Sequence, residues 1–251
     1  MLQRILNDNI SGSSVLLDKT LDYLASLVAS GKPLPEGALD KLRQRHSGMA
    51  CFVRLTGFFS QNRLSASSLE TFRRQIFREE RESLAAFREL FPGNIARVAV
   101  FSHSGMVLKA LDSLDRELTV DVALCGPDGE GLSMARALAG IPGIHPVLWG
   151  DGAYFSQVVN TGAIVLGCDA LSPNWFVNRS GSGALVSLAK GAEIPVYLVP
   201  GPLKFLADEL LLQLPLKQGR PLLNEVADGV DCRNPMLELI GAEGIIVSSS
   251  V

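Results

Sequence analysis

Six short apolar runs punctuate the second half of this 251-residue chain: VAVF (98–101), VDVAL (120–124), HPVLW (145–149), AIVLG (163–167), VYLV (196–199) and GIIVSS (244–249). Helical-period segments lie between them. Continuous rather than alternating apolar residues belong to strands buried on both faces, which is the pattern of a parallel sheet covered by helices. The pattern predicts an α/β domain over residues 95–251, a Rossmann-like, mainly parallel doubly wound sheet. Ligands of such sheets bind beyond the carboxyl ends of the strands, so the residues just after each run are the candidates for function.

The first part reads differently. Leu17, Leu21, Leu24 and Val28 recur at helical spacing, and GKPLPEG stops that helix with glycine and proline. Further helices are predicted near 39–45 and 49–61. A long one opens on a capping box at Ser67 and Glu70, with Leu69, Phe72, Ile76, Leu84, Phe87 and Phe91 along one stripe. Residues 1–94 are therefore read as an N-terminal helical domain.

A net charge of −3 gives no reason to expect direct nucleic-acid binding or attachment to an anionic membrane. No apolar run approaches the ~20 residues that span a bilayer, and MLQRILNDNI lacks the apolar core of a signal peptide. Cys51, Cys125, Cys168 and Cys232 are widely spaced, without a CxxC pair or a histidine at ligand spacing. They read as reduced thiols of a cytoplasmic protein, with no metal site and no cofactor implied.

The strand tips are small or polar. VAVF leads into Ser102-His103-Ser104-Gly105, HPVLW into Gly150-Asp151-Gly152, and AIVLG into Cys168-Asp169. Asp169, beside an apolar strand, is placed as a general acid/base or a hydroxyl-binding carboxylate, or else as a cap for Leu171-Ser172-Pro173. A polar loop is predicted at Asn178–Ser182. Its Asn178 and Arg179 suit phosphate or sugar hydroxyls, and Ser182 opens a helix whose amino end suits an anion. His103 is a weaker candidate base, since lone histidines are more often structural.

The block GCDALSPNWFVNRSGSGALVSLAKGAEIPVYLVPGP (167–202) resembles the GADxx…G…VNKxGTxxLAxxAKxxxIPxYVxAP signature. That signature marks the α/β/δ regulatory subunits of translation initiation factor 2B. It also marks the related isomerases of methylthioribose-1-phosphate and ribose-1,5-bisphosphate. FSHSGMVLKAL, VLWGDGAYFSQV, NPMLELIGAEGI and HSGMACFVRLTGF resemble other segments of that family. The resemblance implies a helical domain followed by a Rossmann-like one, assembly as a homodimer or higher homo-oligomer, and a strand-tip pocket for a sugar phosphate or nucleotide. It implies that Asp169 matches the isomerases' catalytic aspartate, and that Asn178 and Arg179 match a ligand-binding Asn-Lys pair. Ser102, His103, Gly105, Asp151 and Ser182 join them as expected ligand-binding residues.

The departures are chemical. The isomerases' cysteine falls on Ser104, whose hydroxyl is a far weaker acid than a thiol of pKa ~8.5. Their phosphate-binding RPxxQGxRLT corresponds to Gly126–Ala135, where both arginines are absent and Asp128 and Glu130 add negative charge. Two like charges ~5 Å apart at an effective dielectric near 20 repel by roughly 3 kcal/mol. Two expectations follow. One is a factor-2B-like regulatory protein that binds a phosphorylated metabolite without standard isomerase chemistry; the other is an aldose-ketose isomerase-like enzyme working through Asp169.

Overall fold

A computed structural model of the chain describes residues 1–8, 12–216 and 235–249. Cys232 lies outside them. Helices α1 (Leu2–Leu6), α2 (Ser13–Ala29), α3 (Ala38–Arg45), α4 (Ala50–Gln61) and α5 (Ala66–Leu90) come first. The short α1 is an addition to the helices expected from periodicity. The long helix α5 is capped two residues earlier than expected: the Ser65 hydroxyl accepts from the Ser68 amide, and the Ser68 hydroxyl accepts from the Ser65 amide. Three serines within four positions offer several caps, and geometry selects the first.

The sheet then alternates with helices: β1 (Arg97–Val100), α6 (Gly105–Asp112), β2 (Leu118–Ala123), α7 (Glu130–Leu138), β3 (Ile144–Trp149), α8 (Asp151–Gln157) and β4 (Ala163–Leu166). Next come β5 (Ala170–Leu171), β6 (Trp175–Arg179), α9 (Ser182–Gly191), β7 (Val196–Leu198), α10 (Asp208–Leu211), β8 (Leu237–Gly241) and β9 (Ile246–Val247). Six strands form a parallel sheet in the order β3-β2-β1-β4-β7-β9. All six expected runs contribute a strand to it. β4 is buried along its whole length, as a central strand with helices on both faces must be. Asp121, fully buried inside β2, is held by the Arg97 guanidinium at 2.7 and 2.8 Å and by the Trp149 indole N–H at 2.8 Å.

A second, antiparallel sheet of β5-β6-β8 corrects one expectation. Asn178 and Arg179 are not in a loop. They end strand β6, paired with Glu238 and Leu237 of β8, and both are buried.

Helix α5 packs on the parallel sheet. Phe87 and Phe91 stack at 4.9 Å, and both meet the Tyr197 ring of β7. In return, the segment after β7 reaches into the helical layer. Leu203 adopts a left-handed backbone (φ 62°) and buries its side chain among Leu16, Leu24 and Phe52. Its N–H donates to Glu79 at 2.7 Å, while Arg54 donates to the Phe205 carbonyl at 3.0 Å and Ser83 to that of Pro200 at 2.9 Å. This segment delivers Lys204 to the end of β4.

Candidate ligand site at the strand tips

The carboxyl ends of β1, β2, β4 and β7 converge, and β6 ends beside them. Ser102 and Cys125, just past β1 and β2, both take left-handed backbone (φ 66° and 59°), with the Ser102 N–H on Cys125 Sγ at 3.2 Å. Such conformations cost of order 1–3 kcal/mol in residues other than glycine and cluster at functional sites. Gly131, in the first turn of α7, lies against the end of β2 so closely that a Cβ would overlap the Ala123 carbonyl.

The expected residues split by what their polar atoms do. Asp151 begins α8, and its two oxygens accept from the Cys125 and Gly126 amides, both at 2.7 Å. Ser104 is the N-cap of α6, its hydroxyl accepting from the Val107 amide at 3.3 Å. Asn178 donates to the Ser182 hydroxyl at 3.0 Å, which in turn donates to the Arg179 carbonyl at 2.6 Å. These two side chains brace the β6–α9 turn. His103 is exposed at the surface and shares a 3.2 Å hydrogen bond with the Ser133 hydroxyl. Neighbouring protein mass holds its pKa below the usual value, so it is neutral at pH 7. Gly105 is exposed, with nothing near the place of a Cβ.

Arg179 and Asp169 do not pair with each other. The Arg179 side chain, only 8% exposed, places Nη2 at 3.0 Å from Asp128 and Nε at 3.3 Å from Glu130. Burial raises the pKa of Glu130; Arg179 opposes this, while Asp169 and Asp128 add to it. These groups therefore lie within electrostatic reach of one another.

Asp169 faces Lys204, a residue that sequence reasoning passed over. Lys204 Nζ is 3.4 Å from Asp169 Oδ1 and also donates to the Ser13 hydroxyl at the start of α2. It is 4% exposed. Burial is the strongest single influence and pulls its pKa down, but the Asp169 carboxylate and the Cys51 and Cys168 sulfurs together more than offset it, so the pKa lies above the ordinary lysine value. Asp169 does not cap Leu171-Ser172-Pro173: the Leu171 and Ser172 amides donate to the Lys204 and Trp175 carbonyls, while the Asp169 N–H donates to the Val177 carbonyl and its own carbonyl accepts from the Ala50 amide. Glu238 of β8 was also missed. Its Oε1 accepts from the Gly181 and Gly183 amides at 2.9 and 2.7 Å and so fills the amino end of α9.

Among the described residues no group of three or more His, Cys, Asp or Glu is placed to hold a metal ion. No helix among them is long and apolar enough to cross a membrane.

No protein-family model matches the sequence, and no curated protein matches it. Solved structures do. The Pyrococcus horikoshii translation initiation factor eIF-2B superposes with a TM-score of 0.80 at 19% identity, over 99% of this chain and 93% of that one. The 5-methylthioribose 1-phosphate isomerase of the same organism gives 0.73 at 15% identity, over 99% and 81%. The tetrameric beta2-delta2 complex of eIF2B from C. thermophilum gives 0.70 at 16%, over 98% and 88%. These are the proteins that the sequence motifs resemble. An N-terminal set of helices followed by a six-stranded parallel sheet, built from this sequence, is the α/β fold shared by the initiation factor 2B subunits and 5-methylthioribose 1-phosphate isomerase.

Proposed function

We propose that this chain is a regulatory binding protein of the initiation factor 2B type, which takes a small polar metabolite at its strand tips without isomerising it. In this reading it is a cytoplasmic homodimer or higher homo-oligomer; one similar structure is itself a tetrameric subunit complex. The observation that carries the reading is the engagement of the groups an isomerase would use. The hydroxyl at the cysteine position caps α6, and Arg179 is neutralised by Asp128 and Glu130.

One observation favours the isomerase-like reading. The Asp169 carboxylate, 26% exposed, sits against the Lys204 ammonium, and such a pair offers one proton acceptor and one donor at the same strand tip. The two readings part in one experiment. The pure protein is incubated with methylthioribose 1-phosphate and with ribose 1,5-bisphosphate, and ketose formation is followed by NMR. Thermal shifts are recorded in parallel against sugar phosphates, nucleotides and neutral sugars. The expected outcome is a shift of a few degrees with at least one compound and no ketose; a ligand at 100 times its Kd stabilises by about 2.7 kcal/mol. Ketose formation that disappears in Asp169→Asn would establish the enzyme.

A further inference from the structure

Phe77, in the middle of α5, is 70% exposed, although the same helix buries Phe72 and Phe87. It lies off the stripe that holds α5 to the rest of the molecule, so folding leaves its ring in water. Single exposed apolar residues are ordinary; the surroundings of this one are not. Arg73, Arg74 and Arg81 stand three or four positions away on the same helix face, and Arg78 follows directly. With Glu70 and the ring they line a shallow concavity of about 550 Å³. The lining sets four guanidiniums against one carboxylate, on a chain whose net charge is −3.

These guanidiniums are loosely held. Arg73, Arg74 and Arg78 approach Asp22, Glu70 and Glu82 only to 3.4, 3.6 and 3.9 Å, with arginine side chains 46%, 71% and 63% exposed. Exposed pairs of this kind contribute little, so a partner's carboxylate can replace them. Arg81 has no ion-pair partner among the described residues. All five basic residues of α5 are arginine. Solubility alone would be served by lysine as well. Arginine adds a planar fork that grips a carboxylate with two bonds, and arginine and aromatic residues are enriched in protein interfaces where lysine is depleted. Asp22, Glu70 and Glu82 stand among the guanidiniums and would repel the closely spaced phosphates of a nucleic acid, whereas a peptide can place its acids singly. From this charge complementarity we propose that the Phe77 face of α5 docks an acidic segment of a partner protein. A large apolar side chain of that segment covers the Phe77 ring, and its carboxylates pair with Arg74, Arg78 and Arg81. No residue of this face belongs to the strand-tip site, so the proposal stands independently of the binding reading above.

The test starts from random peptides displayed on phage and selected against the full chain. Enriched sequences are synthesised with a fluorescent label and titrated by anisotropy. They should combine Asp or Glu with Trp, Phe or Leu, and their binding should weaken with added salt. Phe77→Ala, and separately Arg78→Gln with Arg81→Gln, should each lower the affinity at least about tenfold. Both variants should keep the melting transition of the unaltered chain, because the altered side chains are exposed. A selection that enriches no peptide, or only peptides without acidic residues, overturns the proposal. Acidic peptides that bind both variants as tightly as the unaltered chain overturn it too, since they dock elsewhere. A labelled oligouridylate that displaces the peptides and loses its binding in both variants would give the face to RNA. Sedimentation that finds dimers of the unaltered chain and monomers of both variants would give it to a second copy of the chain. Either result ends the proposal.

Discussion

Asp169→Asn removes the counter-charge of a buried lysine. Lys204 would keep the Ser13 hydroxyl and gain an amide oxygen, with no negative charge to face. Removing one partner of a buried ion pair costs about 3–5 kcal/mol. Here Nζ and Oδ1 are 3.4 Å apart and the carboxylate is 26% exposed, so the loss belongs at or below the lower end, about 2–3 kcal/mol. At ~2–4 °C per kcal/mol for a chain of this size, Tm should fall by about 4–12 °C at pH 7. The pH dependence gives a sharper criterion. In the unaltered chain the folded pKa of Lys204 lies above its ordinary value. The pair's contribution is then complete below the unfolded lysine pKa of ~10.4 and is lost only as pH rises through the folded value. Without Asp169, burial dominates and the folded pKa drops below the unfolded one. The variant is then weakest near neutrality and recovers as pH rises through the lowered pKa. Calorimetric melts between pH 7 and 10 should show its deficit shrinking, and Asp169→Asn with Lys204→Met should regain most of the loss at pH 7. No deficit at pH 7, or one that stays constant across the range, would refute the argument.

Ser104→Ala should cost about 1 kcal/mol through the lost cap of α6, a Tm decrease of about 2–4 °C, and should leave ligand binding unchanged. Lost binding or turnover at unchanged Tm would instead give that hydroxyl a chemical role. Burial pushes the Cys51 thiol up to about 11 and those of Cys125 and Cys168 up to about 12. Iodoacetamide at pH 8 followed by peptide mapping should leave the buried Cys51 and Cys125 unmodified in the folded protein and modified in urea. Rapid native labelling of Cys125 would contradict this burial.

The parallel sheet was legible because burial on both faces writes itself into local sequence. AIVL and VYL are apolar at every position, so no knowledge of distant partners is needed to read them as strands. The longer helices were legible for the same local reason, through period. Strand β6 was not, because WFVNR ends in an asparagine and an arginine that solvate readily in an isolated segment. They are buried only because β8, some 60 residues later, lies alongside. Lys204 was hidden in the same way. Its partners Ser13 and Asp169 are 191 and 35 residues distant, and the only local hint is a lone lysine between apolar neighbours in LKFL. Glu238 reaches the amino end of α9 across 57 residues. Charged groups carry no period, so pairings between them emerge only when the elements are assembled.

The charge pattern at the strand tips bears directly on what this fold can hold. An internal carboxylate meets its cation or its amide pair without losing translational freedom, whereas a free phosphate must offset that loss before it competes. Arg179 meets two such carboxylates, and the amino end of α9 meets a third. For a phosphate to reach Arg179, the turn between β2 and α7 that carries Asp128 and Glu130 would have to swing away. That turn is pinned by Asp151 through the Cys125 and Gly126 amides, and by the close approach of Gly131 to the end of β2.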